Sequence, residues 1–449
     1  TTADNTAGST GSITLSTTSG AIDVAEALMT GNASGAAGVA SGSISLTAGS
    51  GAIFGAASPQ TGSATSNDGG AGSATSGNIT LSGSEITDDG AATASGAFVV
   101  SIGSASGGNS NVDGSLLATV TGLGDAGEII VSAAEDLAVA TLDTANADTT
   151  TVNVTVTTAN NTLTISNAVD VDQDDVTLTA DDVTITNGIT GSGTLLLQPL
   201  TTTRSIGLGG GTGDFNLDDS DLLQLTDGFG SITIGRADGE HAIVIDSATF
   251  TDPITIQAPI GAGSVRIKDS GASTSGLVGT GDASITIDGP GATTTLDADI
   301  ITDGTAVLIS DNVVLDNSVS IDTTNGGAVA AGNDVTITGT IEDTAAESNS
   351  LTINGGSTGN VDLQGTIGTT QSIAGLTVTN AADFDLLSVT IESGFNVTQT
   401  SGTGTTTING NIATSGVGAV SLTTSRNIVL ATGTSITTVN GGITLNANL

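Results

Sequence analysis

Residues 11–22 read GSITLSTTSGAI, residues 42–53 read GSISLTAGSGAI, and residues 77–86 read GNITLSGSEI. Each carries a triplet near its start (Ile13-Thr14-Leu15, Ile44-Ser45-Leu46 and Ile79-Thr80-Leu81) that runs apolar, polar, apolar. A period of two is the mark of a half-buried strand, because successive side chains point to opposite faces. The triplet returns along the chain as Val183-Thr184-Ile185, Ile254-Thr255-Ile256, Ile285-Thr286-Ile287, Val335-Thr336-Ile337, Leu351-Thr352-Ile353, Val420-Ser421-Leu422 and Ile443-Thr444-Leu445. No window carries sustained helical periodicity, and Pro, which would remove a backbone donor, occurs only five times.

The segments between triplets are turn-forming. Asn-Gly begins at Asn187, Asn325, Asn354, Asn409 and Asn440, and Asp-Gly at Asp68, Asp89, Asp113, Asp227, Asp238, Asp288 and Asp303. Such dipeptides tolerate the left-handed backbone that sharp corners need. They also mark hairpins, so an antiparallel sandwich is the rival architecture. Short strands recurring roughly every ten residues over hundreds of residues, without long aromatic-bearing strands, favour a solenoid. The expected fold is therefore all-β: a parallel β-helix, or β-solenoid, drawn out into an elongated rod. Some twenty coils at a strand spacing of ~4.8 Å would extend roughly 100 Å.

Two textures divide the chain. Residues 1–125 are expected to form loop-rich repeats, with Ala/Gly/Ser stretches such as GNASGAAGVAS and TSNDGGAGSATS between strands. Residues 126–449 are expected to form a tighter, Asp-rich body continuous with the first part, with triplets about twenty residues apart, which suits coils of two or three strands. The opening TTADNTAGST has no initiator Met or signal pattern, and GGITLNANL closes on what reads as one more strand. Both ends read as cuts through a longer mature chain.

Composition supports a narrow stacked interior. The chain has 449 residues with 65 Gly, no Cys, no Trp, no Tyr and 2% aromatics, so Val, Ile, Leu and Ala must supply the core. A formal charge of −41 could suggest disorder, yet only 11% of residues are charged and mean hydropathy is +0.25. Disordered chains combine low hydrophobicity with dense charge, and this one has neither. Forty-six acidic residues face five basic ones, Arg204, Arg236, Arg266, Lys268 and Arg426. No cationic face for nucleic acid can be assembled from those. Anionic membrane surfaces are disfavoured on the same ground, and no apolar run is long enough to span a bilayer.

Cations, by contrast, should be attracted. VDVDQDDVTLTADDVTI (169–185) would set Asp170, Asp172 and Asp174 on one face if extended, with Asp175, Asp181 and Asp182 near turns. DFNLDDSDLL adds Asp214, Asp218, Asp219 and Asp221. Calcium wants several carboxylate and carbonyl oxygens at close range, so these ten are the candidate ligands. Neither an EF-hand loop nor a glycine-rich calcium nonapeptide is present. Solvated acidic turns are the plain alternative.

Enzymatic motifs are missing. His241 is the one histidine, and no Ser-His-Asp order, P-loop or zinc spacing accompanies it. Arg266 and Lys268 share a face of VRIK by strand alternation, where neighbouring Asp would balance them. Thr-x-Thr pairs such as Thr155/Thr157 and Thr336/Thr338 resemble ice-binding arrays, but their spacing is irregular. The sequons at Asn32, Asn78, Asn153, Asn160 and Asn396 would permit glycosylation in a suitable secretory system.

The segments GFGSITIGRADGEHAIVI (228–245), NSLTINGGSTGNVDLQGTIG (349–368) and SRNIVLATGTSITTVNGGITLNANL (425–449) resemble the giant bacterial surface proteins of the filamentous-haemagglutinin and autotransporter-passenger type. The resemblance implies a right-handed coil, export to the cell surface and a role in adhesion, biofilm or surface coats. The expected partners are copies of the chain itself or neighbouring surface proteins, and after them a carbohydrate or protein receptor, which the resemblance does not name. The expected function is a non-enzymatic structural segment, with a ligand-binding adhesin next and a carbohydrate-active β-helix enzyme last.

Overall fold

The computed structural model describes residues 9–19, 21–24, 28–35, 39–48, 52–54, 64–66, 73–75, 79–83, 85–87, 97–102, 105–106, 110–112, 115–120, 128–133, 136–143, 151–157, 159–171, 173–257, 260–261, 263–268, 270, 275–289, 293–386, 391–393 and 396–447. Apart from one helical turn, Asp219–Leu222, the elements are short strands, and their registers are parallel from the first coil to the last. The fold is a parallel β-solenoid. Asp68, Asp89, Asp113, Asn78 and Asp172 lie outside the described residues.

Two compact units are formed: Thr1–Thr201 with Leu223–Ile232, and Thr202–Leu222 with Thr233–Leu449. The change of texture near residue 125 falls inside the first unit. There, the strands Ile13–Ser16, Ile22–Asp23, Ala33–Gly35 and Val39–Ala40 each pair with the corresponding strand of the following coil. The Ser43 N–H, which donates to Ser12 Oγ, marks that coil as 31 residues long. Further along, Thr151–Val156, Asp175–Thr179 and Thr194–Gln198 stack in one sheet while Thr162–Ile165 and Asp182–Ile185 stack in another. Coils are shorter here: Thr194 bonds to Asp175 across 19 residues.

The triplets explain the stacking. Ile13, Ile44 and Ile79 align in one row, and Leu15, Leu46 and Leu81 in the next. Ile44, Leu46, Ile79 and Leu81 are buried, while their partner Leu15 on the outermost strand is 39% exposed. Each fully buried aliphatic side chain contributes roughly 1.5–3 kcal/mol, so the largely aliphatic core grows coil by coil.

In the second unit three strands make each coil. Ala242–Asp246, Ala248–Phe250 and Ile254–Gln257 lie beneath Ser264–Lys268, Ser275–Gly279 and Ile285–Asp288. One inward row runs Ile254, Ile285, Val307, Val335, Val361 and Phe384 before reaching Thr406. Thr406 keeps the row buried because its hydroxyl donates to buried Gln399 Oε1 at 2.6 Å.

Corners differ from the sequence reading. Of the five Asn-Gly asparagines, only Asn325 is left-handed, with φ 49°. Asn187 instead donates through Nδ2 to Ser166 O in the preceding coil, and Asn354 does so to Thr324 Oγ1. Stacked corners reward a side chain that reaches the neighbouring coil more than one that relaxes the turn. Where backbones touch, only glycine fits: a Cβ on Gly339 would lie 2.1 Å from the Asp311 carbonyl oxygen.

Candidate functional site

Side chains at the mouths of the strands form ladders along the second unit. Asp334 Oδ1 accepts the Asn360 N–H at 2.7 Å, Asn360 Oδ1 accepts the Asp383 N–H at 3.1 Å, and Asp383 Oδ1 accepts the Thr405 N–H at 2.6 Å. Each residue immediately precedes a strand of one sheet. The same device joins Asn312 to Thr340, Asn396 to Ala419 and Asn411 to Ser435. A side-chain oxygen at the edge of one coil thus takes up a backbone donor of the next. Several Asp and Asn side chains among the described residues serve this purpose.

Two of the calcium candidates, Asp181 and Asp175, behave in the same way. Asp181 is buried and accepts from the Asn160 N–H, the Thr201 N–H and the Thr201 hydroxyl at 2.9, 2.7 and 2.7 Å. Asp175 accepts the Thr194 N–H and hydroxyl, and Asp182 accepts the N–H of Val183. The expected single face of Asp170 and Asp174 is not formed. Asp174 is buried at a turn, its N–H donating to the Val171 carbonyl, whereas Asp170 is exposed. A reverse turn breaks the alternation that an extended strand would have kept.

Asp218 and Asp221 cap the helical turn reciprocally. Asp218 Oδ1 accepts from the N–H groups of Ser220 and Asp221, and Asp221 Oδ2 accepts the Asp218 N–H. This is a capping box with aspartate in both places. The Ser220 hydroxyl and the freed helix donors hold the Asp218 carboxyl below its ordinary value. Asp219 and Asp214 are exposed, and the Asp214 N–H donates to Ser205 Oγ. Among the described residues, none of the ten candidates gathers with two other carboxylates within 4.8 Å. Sequence reasoning missed Asp252 and Asp282, whose carboxylate oxygens do approach within 4.8 Å from successive coils.

Three of the five cations are balanced locally. Arg266 reaches Asp297 and Asp316 at 2.9 and 2.5 Å, and Lys268 Nζ lies 3.4 Å from buried Asp246. Burial pushes the Asp246 carboxyl up, but the Ser270 hydrogen bonds and the Lys268 charge outweigh it and leave the value lowered. Arg236 holds Asp238 through two bonds of 2.8 and 3.0 Å. His241 is fully buried; its Nδ1 meets the Arg204 carbonyl at 2.7 Å, and Nε2 has no partner. Burial lowers its pKa, so the ring is neutral at physiological pH. A shielded Nε2 cannot reach an external substrate.

Two surface features were not visible from the triplets taken one at a time. Ser320, Thr352, Thr377, Thr398, Ser421 and Thr444 occupy one outward row over six coils. Unequal connections scatter these hydroxyls along the sequence, and only the register makes them regular. Elsewhere Asp362 lies directly over Asp385 on an outward face. Burial, and then repulsion from Asp385, Asp334 and Asp383, raises the Asp362 pKa.

Among the described residues no helix is long and apolar enough to cross a membrane. No protein-family model, curated protein or solved structure matches the chain.

Proposed function

We propose that this chain is a structural segment of a large secreted cell-surface protein, contributing a stacked β-solenoid to a fibre, stalk or coat. The observation that carries the reading is the ladder Asp334–Asn360–Asp383–Thr405, which spends charged and amide side chains on joining coils. A chain that commits its polar residues to its own backbone is suited to persistence and mechanical continuity. The pairing of Arg266 and Lys268 with aspartates, and the burial of His241, support a non-enzymatic role. The outward hydroxyl row from Ser320 to Thr444 offers an uncharged lateral face to neighbouring copies or surface proteins.

Antibody labelling of intact source cells, compared with permeabilised ones, tests the placement. Surface label that brief external proteolysis removes is the expected result. Label seen only after permeabilisation would overturn the reading.

A further inference from the structure

Asn-Gly pairs carry a reaction of their own, since glycine leaves the backbone nitrogen after the asparagine unshielded by a Cβ. That nitrogen can attack the side-chain amide carbon, so the fate of each pair depends on what holds its two reacting groups. Four of the five pairs, those at Asn187, Asn325, Asn354 and Asn409, have a coil stacked on either side. In three of them a reacting group is held. Asn187 Nδ2 donates to the Ser166 carbonyl at 2.6 Å. Asn325 Nδ2 reaches Asp303 Oδ1 at 3.3 Å, and the Gly326 N–H donates to Asp322 Oδ2 at 2.9 Å. Asn354 Nδ2 donates to Thr324 Oγ1 at 2.9 Å, while the Gly355 N–H donates to the Asn380 carbonyl, also at 2.9 Å.

Asn409 is different. Its main chain is fixed: its own N–H donates to the Leu386 carbonyl at 2.9 Å, and the Ala431 N–H donates to the Ile408 carbonyl at 2.8 Å. Yet Asn409 is exposed, and among the described residues neither its side-chain amide nor the Gly410 N–H has a hydrogen-bond partner. The bridging contact at this corner falls to Asn411, whose Oδ1 accepts the Ser435 N–H and hydroxyl at 2.9 and 3.0 Å. Asn411 also precedes Ile412, whose branched side chain crowds the nitrogen that would have to attack. Only at the 409 pair are both reacting groups free to meet.

We propose that Asn409 is a site of spontaneous deamidation and isoaspartate formation, with water as the co-reactant. Solvent hydroxide removes the Gly410 N–H proton, and the nitrogen bonds to Asn409 Cγ. The Cγ–Nδ2 bond breaks, Nδ2 takes a proton from water and leaves as ammonia, and a cyclic succinimide remains. Water then opens either carbonyl–nitrogen bond of the ring, giving aspartate or isoaspartate. One water enters, one ammonia leaves, and nothing is oxidised or reduced. The product matters locally, because no side chain between Glu392 and Arg426 is charged. Conversion places a single carboxylate in that stretch. The isoaspartyl form also adds a methylene to the main chain in the turn between Thr406–Ile408 and Ile412–Thr414. The corner thus carries a mark that accumulates with the age of the chain, whatever its cellular role.

Peptide mapping of the folded full chain, aged in mildly alkaline buffer, reads the site directly. Cleavage after Glu392 and Arg426 releases residues 393–426, and fragmentation locates the amide-to-acid mass gain within them. Deamidation at Asn409 is expected to outpace that at Asn187, Asn325 and Asn354 about tenfold, because those sites must first break a hydrogen bond. Isoaspartate must be among the products, since direct hydrolysis of the amide yields aspartate alone. In the chain unfolded by guanidinium chloride the four rates should converge, because each asparagine is followed by glycine. Gly410→Ala, which shields the nitrogen, should slow conversion at Asn409 severalfold. Equal rates at the four sites in the folded chain overturn the proposal, as does a product that is aspartate alone. So does an advantage of Asn409 that persists after unfolding, which would trace it to flanking sequence rather than to the fold. Should Gly410→Ala misfold, the comparison of folded with unfolded chain decides alone.

Discussion

Thr294 and Asp311 meet inside the second unit, the Thr294 hydroxyl donating to Asp311 Oδ2 at 2.8 Å while Asp311 Oδ1 is buried without a partner. Thr294 sits in an otherwise apolar inward row, between Val265 and Val313. Burial is the main reason the Asp311 carboxyl rises to about 6; the Thr294 bond offsets part of it, and nearby Asp288 adds to it.

That value sets a pH dependence. A folded-state value above the ordinary 3.8 means that the native state holds the extra proton. The contribution is complete below 3.8 and is lost as pH climbs through about 6. The loss amounts to about 1–3 kcal/mol. Urea midpoints of the wild type and Asp311→Asn, measured across this window, should diverge by that amount. Parallel profiles would show that Asp311 is not the group responsible.

His241 titrates in the opposite sense. Its lowered value stabilises the fold above the ordinary imidazole value of 6.5, and the benefit is lost as pH falls below that toward the folded-state value. Its ring also fills the space over Gly239, where a Cβ would lie 2.3 Å from Nε2. Gly239→Ala is expected to cost about 1–3 kcal/mol. In a double-mutant cycle, His241→Ala should recover part of that cost. Additive effects would refute the contact.

Asn360 is the middle rung of its ladder. Asn360→Ala leaves the Asp383 N–H without its side-chain acceptor and should cost about 1 kcal/mol. Asn360→Asp keeps an acceptor but sets a third carboxylate between Asp334 and Asp383. It should therefore cost more at neutral pH than at pH 3, a difference that thermal melts at the two values read directly.

Asp362→Thr should do the reverse and stabilise the chain. The substitution continues the row from Thr336 and removes repulsion across Asp385, for a gain of about 0.5–1 kcal/mol at pH 7. Because the folded-state pKa of Asp362 is raised, the gain should shrink as acid protonates the wild-type carboxyl. A variant less stable than the wild type at neutral pH would refute the repulsion argument.

Calcium is expected to act through screening. The carboxylates of Asp175, Asp181 and Asp218 already receive backbone donors, and the formal charge is −41. Sodium chloride at matched ionic strength should reproduce most of any melting shift that calcium causes. A saturable, calcium-specific shift reversed by chelator would instead establish a site.

The strand content and the parallel stacking were legible because each triplet obeys a local rule. Ile13-Thr14-Leu15 can bury one face only as a strand, and a triplet of the same pattern, Ile44-Ser45-Leu46, supplies the next rung 31 residues on. The aliphatic core followed from composition in the same way. The ends of the strands were harder to read. Asn187 and Asn354 looked like turn formers because the dipeptide is local information, whereas their Nδ2 bonds reach a neighbouring coil.

The sequence by itself determined that this chain is built from short parallel strands with a narrow aliphatic interior, because alternation and side-chain size act within a few residues. Only the tertiary structure decided which acids were free to act as ligands and which were spent on the backbone. Asp181 and its donors Asn160 and Thr201 lie 21 and 20 residues apart in the chain and within 3 Å in space. Coil length sets that contact, and coil length varies from turn to turn. No local pattern encodes it.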